Sequence, residues 1–536
     1  MKSKIIRFLL LSAIAINLIN CAKRGTPTGG DRDITPPSVV STSPKANTIN
    51  FNEKKIEIRF DEYIKLNDLQ KQLIVSPPLK YLPEISPQGS ASKSLEVKII
   101  DTLLENTTYV FNFGQSIVDN NEGNPYSFYK YVFSTGDYID SLTLSGNVVD
   151  AVENKPEKFV SVMLYRIDST FTDSIIYKKR PTYITNTLDS ATTFELTNLK
   201  EGKYMLLGMK DFSNNYLFDQ KTDQIAFISD IVEIPTDSTY KLTLFKEINS
   251  FRAAQPSLVS KNRIVFGFDG DYTDMEINLL SITPENYKYH ITKSTETDSL
   301  NYWFTPFEAD TLVFTVGTPK TIDTFTVRMK ELYKDTLVIQ QDRGRAFGIG
   351  EALKLNTSTP LVQINKDSIS IINKDSITLP FTASLDTLNS QLSLMWETIP
   401  NESYKVFIKK NALVDFFGTA NDSVFDYSLR TKSLADLGSI RVKLNNVNSY
   451  PIIVQLTDEK GKILHETYSE KPQPFYDFIN INPTNYLLRV IFDKNSNGKW
   501  DTGNYLLKTQ PERISYYPTT IELKPNWELE QEFILD

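Results

Sequence analysis

A chain of 536 residues exceeds what one hydrophobic core supports, so several domains are expected. Hydrophobic residues at 40% and charged residues at 23% are the proportions of a folded protein and exclude extended disorder. A net charge of −8 offers no basic face to nucleic acid, while 1 Cys and 2 His exclude an intrachain disulfide and a zinc site built from several such ligands.

Lys2, Lys4 and Arg7 precede an apolar run from Phe8 to Ile19. That run is too short for a bilayer, which needs ~20 residues, but suits the hydrophobic region of a signal peptide. It ends at Leu18-Ile19-Asn20-Cys21, which resembles a lipobox; Asn20 departs from the commoner Gly, Ala or Ser. The resemblance implies that residues 1–20 are removed and that Cys21 carries acyl chains, each buried CH₂ contributing ~0.8 kcal/mol of membrane affinity. Residues 21–37 are rich in Gly, Pro and Thr and are expected to form a flexible tether. Lys23-Arg24 suits anionic headgroups, and no acidic run follows the Cys. The expected location is the outer membrane of a Gram-negative bacterium, the periplasmic face being favoured over the cell surface.

Residues 38–137 alternate with period 2 in Ile56-Glu57-Ile58-Arg59-Phe60, Leu95-Glu96-Val97-Lys98-Ile99 and Tyr109-Val110-Phe111-Asn112-Phe113, separated by turn clusters. Together with Thr35-Pro36-Pro37, Phe60-Asp61-Glu62, Ser76-Pro77-Pro78, Asp119 and Phe133-Ser134-Thr135, this segment resembles bacterial Ig-like domains. That family implies a β-sandwich serving as spacer or interaction domain.

Residues 138–248 and 436–536 share a spacing. Phe194, Tyr204 and Asp211 match Tyr476, Tyr486 and Asp493, and each Asp opens a polar loop ending in Asp219 or Asp501. The spacing indicates an internal duplication. The unit resembles small transthyretin-like or Cna-B-like sandwiches, with Gly202-Lys203-Tyr204 fitting the family's strand and Thr484-Asn485-Tyr486 departing from it. Between the copies lie a β region at 249–350 without a family and a second Ig-like segment at 351–435. In the latter, Tyr404, Val414-Asp415 and Tyr427 to Thr431 echo Tyr109, Val118-Asp119 and Tyr131 to Thr135. The expected class is all-β: tandem Ig-like and transthyretin-like sandwiches behind a lipoprotein signal peptide.

In the second loop, Asp493, Asn495, Asn497, the Lys499 carbonyl and Asp501 supply oxygens at the spacing of a calcium loop, and Gly498 permits the tight curl. Asn504 stands where a bidentate Glu would complete the cage, so the residues allow either a weak Ca²⁺ site or an Asx-rich turn that caps its own backbone. Tyr216 replaces the Gly in the first copy, a poorer calcium loop. Tyr129, Tyr131 and Phe133 form an aromatic ladder that either packs the core or, with Trp500, stacks sugars. Asp61-Glu62 point to opposite faces of a strand and cannot act as an acid–base pair. Asp269, Asp271 and Asp274 are the dense carboxylates of the middle region, the one place for a hidden hydrolase, and His290 and His465 read as sheet histidines. Without a phosphate loop, nucleophile elbow or HExxH, the expectation is a non-enzymatic envelope scaffold with no required cofactor. Its partners are the membrane and an envelope protein or glycan; the alternative is a carbohydrate-binding lipoprotein.

Overall fold

The structure, a computed structural model, describes residues 33–153, 157–187, 192–342 and 346–535. Cys21 and the signal peptide lie outside these residues. Nearly every element is a strand; helix is confined to Leu69–Gln72 and three 3-10 turns among the described residues. None of these helices is long and apolar enough to cross a membrane. The chain divides into two compact units, one holding the residues up to Thr143 with Thr182–Thr185 and Leu196–Glu201, the other the remainder.

The first unit contains the first sandwich. Alternation sends Ile56, Ile58 and Phe60 of the strand Lys55–Leu66 inward, while Lys55 and Arg59 face solvent. That strand is flanked by Val39–Ser43 and Ser92–Lys98 in one sheet. Ile74–Ser76, Thr108–Asn112 and Lys130–Ser134 make the facing sheet. Between them Phe133 stacks on Phe51 at 3.9 Å and on Tyr109 at 5.5 Å. Each such side chain stabilises the fold by roughly 1.5–3 kcal/mol on burial. The stretch 33–37, expected as the end of the tether, is instead tied to this domain. The Asn124 amide donates to the Asp33 carbonyl (3.0 Å) and the Thr35 carbonyl (3.3 Å), and Ser38 donates its N–H (2.8 Å) and hydroxyl (2.6 Å) to Asp61. Gly and Pro content alone could not show these partners, Asn124 on a distant loop and Asp61 on a distant strand.

Four further sandwiches or sandwich parts make up the second unit. The first repeat and the C-terminal sandwich share one topology. In each, an early strand pairs in parallel with the last: Leu142–Asp150 with Thr239–Leu244, and Gly438–Asn445 with Glu528–Ile534. In each, a long central strand carries the same neighbours. Gly202–Lys210 lies between Ser161–Arg166 and Gln224–Phe227 with Val232–Ile234 beside it; Asn485–Phe492 lies between Ile452–Thr457 and Ile514–Tyr516 with Ile521–Glu522 beside it. Gly146 is required by the close approach of the parallel pair, because a Cβ there would sit 2.1 Å from the Tyr240 carbonyl oxygen.

The middle domain is also two facing sheets. Its core is a cluster of edge-on aromatic rings, with Phe314 5.1 Å from Phe266 and 5.3 Å from Tyr302. The next domain begins earlier than residue 351. Ile339–Gln341, expected to close the middle region, pairs with Leu353–Thr357, and Ile339 joins the core of Leu355, Leu394 and Val406. A short strand carries too little pattern to announce which of two adjoining cores will bury it.

This domain and the first one share their wiring at one corner. The Leu104 N–H donates to the Tyr109 hydroxyl (2.9 Å), and the Ile399 N–H to that of Tyr404 (2.8 Å). Thr135 donates to the Leu104 carbonyl (2.7 Å) and accepts from the Thr107 N–H (2.9 Å); Thr431 does the same with Ile399 (2.6 Å) and Glu402 (2.9 Å). Tyr109→Phe and Tyr404→Phe each strand one N–H while leaving the ring in place. Each is therefore expected to cost about 1–2 kcal/mol of stability, read as matching shifts of the urea midpoint.

Candidate functional site: the paired carboxylate loops

The strand Asn485–Phe492 delivers Asp493 into the C-terminal loop, where its carboxylate is almost wholly buried. It accepts the N–H groups of Asn497 (3.2 Å) and Gly498 (2.7 Å). The Asn495 and Asn497 side-chain amides donate to one oxygen of Asp501 at 2.6 and 2.7 Å. Gly498, at φ 74°, and Ser496, at φ 61°, turn the chain in the left-handed region. A residue absent from the sequence expectation completes the loop. Glu512, buried and eleven positions beyond Asp501, accepts the Lys494 N–H (2.7 Å) and the Asp501 N–H (3.1 Å), while its carbonyl accepts the Trp500 indole N–H (3.0 Å).

The first repeat builds the same figure. Asp211 accepts the Tyr216 N–H at 2.7 Å, and buried Asp223 accepts the N–H groups of Phe212 (3.1 Å) and Asp219 (2.9 Å). Asn214 and Tyr216 take φ values of 52° and 62°, so Tyr216 adopts the conformation that Gly498 adopts without a side-chain penalty. The second carboxylate of each loop was legible only as an acidic residue before a strand. Its spacing differs between the copies, which hid the equivalence.

In this arrangement the carboxylates cap backbone donors. Among the described residues, no group of three or more His, Cys, Asp or Glu side chains is arranged to hold a metal ion. A cation at the Asp493 loop would have to compete for oxygens of Asp493 and Asp501 that already accept hydrogen bonds. Burial raises the Glu512 carboxyl above the ordinary glutamate range; the Lys494 and Asp501 N–H groups oppose that shift, and the Asp493 and Asp501 carboxylates add to it.

The remaining candidates are dispersed. Asp269 accepts the Asn249 amide (2.9 Å) and pairs with Lys221 (3.4 Å); Asp271 accepts the N–H (2.9 Å) and hydroxyl (2.6 Å) of Thr273. The groove of about 850 Å³ in the middle domain lies at the other end of the strand Arg263–Asp269, lined by Lys261, Phe307, Glu308, Asp310 and Glu331 among others. The three middle-region aspartates therefore do not line it. His290 lies 3.4 Å from the Thr387 carbonyl. Half-buried His465 packs on Tyr486, and burial lowers its pKa. Tyr131 and Phe133 are wholly buried core, and Tyr129, partly buried, packs on Phe113 and Tyr126. A strand with one buried face hides its aromatics whenever that face closes a sandwich.

Residues 33–135 match the family model described as bacterial Ig-like domain, so the first sandwich is Ig-like. No curated protein matches the chain. Among solved structures, surface layer protein SbsC, domains 1-6, aligns over 91% of this chain and 68% of its own, at 13% identity and a TM-score of 0.16. A chimeric titin Z1Z2 functionalized with a KLER peptide from decorin aligns over 35% of this chain and 98% of its own, at 13% identity and a TM-score of 0.16. Scores this low carry nothing about arrangement or activity.

Asp493→Ala leaves the Gly498 N–H without its acceptor and the Asn497 N–H with the Asn495 side-chain oxygen alone. The expected cost is about 1–3 kcal/mol, the same in calcium and in chelator. A calcium-dependent rise in wild-type melting temperature that this variant abolishes is the contrary result and makes the loop a metal site. Because the folded chain holds a proton on Glu512 above the ordinary glutamate value, the stability this group contributes falls as pH rises through that window. Glu512→Gln, offset by its own constant loss, should show the smaller fall in urea titrations as pH is raised above the ordinary glutamate range.

Proposed function

We propose that this chain is a non-enzymatic lipoprotein of the bacterial envelope, anchored through acyl chains on Cys21, whose β-sandwiches act as an interaction scaffold. One observation carries the non-enzymatic part: the carboxylates of the paired loops, and Asp269 and Asp271 of the middle region, are engaged in holding turns or joining domains. Asp493, Glu512, Asp211 and Asp223 accept backbone N–H groups. Asp269 is held by Asn249 and Lys221, and Asp271 by its own turn. A carboxylate occupied by fixed donors is a poor general base, since it must release them before taking a proton.

The anchoring part rests on the sequence. Leu18 stands three positions before Cys21, the single cysteine of the chain, behind a basic and then apolar segment. Acylation there would tether the Ig-like domain, whose residues 33–38 are already folded against Asp61 and Asn124, through a linker of about a dozen residues. The outer membrane is the proposed location and its periplasmic face the preferred one; an envelope protein or glycan is the proposed partner.

Growth of the producing cells with labelled palmitate tests the anchor. Wild-type chain is expected to carry label and to sediment with membranes. Cys21→Ala is expected to lose the label and to leave the membrane fraction. A labelled Cys21→Ala chain, or an unlabelled wild type, overturns the reading.

A further inference from the structure

In the first repeat the two carboxylates that close the loop, Asp219 and Asp223, stand four positions apart; in the C-terminal sandwich, Asp501 and Glu512 stand eleven apart, seven more. The additional residues are seated against the first repeat. Tyr505 is wholly buried, its ring edge-on to Phe227 with centroids 5.5 Å apart. Its N–H donates to the buried Glu247 carboxylate (2.5 Å) and its hydroxyl to the Asp173 carbonyl (3.0 Å). On either side, Thr502 donates to the Lys246 carbonyl (2.6 Å) and Gln510 to the Phe227 carbonyl (2.9 Å). The Lys508 ammonium covers the Tyr505 ring at 4.2 Å and pairs with Asp173 at 2.6 Å. Gly503 lies so close that a Cβ would come 2.7 Å from the Phe245 ring.

These contacts join residues 256 to 335 positions apart. The other junctions of the second unit follow chain order. Lys221 reaches Asp269 between the first repeat and the middle domain. Trp303 and His290 meet Phe417 and Phe416 at the next junction. Lys432 donates to Asn482 (2.7 Å) at the last. Among the described residues, the circuit back to the start is closed by the Tyr505 junction, beside which the Tyr516 hydroxyl donates to the Val152 carbonyl.

We propose that the segment Thr502–Gln510 is a clasp: by seating Tyr505 in the first repeat, it locks the four domains of the second unit into one closed body in place of a jointed string. A buried aromatic ring surrounded by partly exposed polar bonds is the usual energetic centre of such a contact. The clasp stands on these contacts alone and does not depend on the lipid anchor or on the identity of any partner.

A zero-length carbodiimide joins a lysine to a carboxylate only where the two are in contact, so the ion pair reports closure in the full chain. Peptide mass spectrometry should find Lys508 joined to Asp173, alongside the control pair Lys203–Glu233 within the first repeat, 2.9 Å apart. Tyr505→Ala is expected to lower the Lys508–Asp173 product about ten-fold or more, as loss of an aromatic anchor does, and to spare the control. Gly503→Val, which keeps Tyr505 but wedges a side chain against Phe245, should do the same, and Tyr505→Phe should retain both products. Absence of the Lys508–Asp173 product in the wild type while the control forms, or its persistence in both Tyr505→Ala and Gly503→Val, overturns the clasp.

Discussion

A backbone N–H that leaves a β-sheet at a strand end loses its ladder partner, and if it is kept from water it must find another acceptor. In an all-β chain built of many short strands, this constraint returns at every corner. The chain meets it with a small set of devices used twice. Tyr109 and Tyr404 offer hydroxyls to the N–H five residues earlier in the chain. Asp119 collects the N–H groups of residues 121–124, and Asp415 those of Phe417 and Thr419. Asp211 and Asp493, backed by Asp223 and Glu512, do the same for the paired loops. An unsatisfied buried donor costs roughly 1–3 kcal/mol, comparable to burying a large side chain. The corners therefore matter to stability as much as the cores.

That use of acidic side chains bears on function. A loop with Asp, Asn, Asn, Gly and Asp at alternating positions carries oxygens for a cation and also acceptors for its own backbone. The two roles draw on the same atoms. In the first repeat the curl survives with Tyr216 in place of glycine, at φ 62°, so the loop's shape is not maintained by glycine alone. Two carboxylates spanning the loop from both ends impose it, and they do so in both copies despite different spacing.

The closing of the second unit is a separate matter from the building of its domains. Each sandwich has its own apolar core, and the junctions between chain neighbours are polar bonds together with the aromatic contact of Trp303 and Phe417. Tyr505 differs, because it buries its whole ring against a domain far away in the chain. The duplication supplies two copies of one fold, and the longer C-terminal loop then supplies the part by which one copy grips the other.

Alternation along Ile56 to Phe60 and along Tyr109 to Phe113 determined the all-β class and which residues face inward, because the pleat imposes period 2 on each strand by itself. The spacing of Phe194, Tyr204 and Asp211 against Tyr476, Tyr486 and Asp493 likewise disclosed two related units, since equal lengths of strand and turn leave equal intervals in the chain. Tertiary structure decided the rest. Whether Tyr131 faced a ligand or a core depended on the facing sheet. Whether Ile339 belonged to the middle or the following domain depended on Leu353–Thr357. The partners of Glu512 and Tyr505 depended on segments 11 to 332 positions away. Such pairings leave no local periodicity, because they arise only when separately folded surfaces meet and each buried donor takes the nearest acceptor that chain closure brings to it.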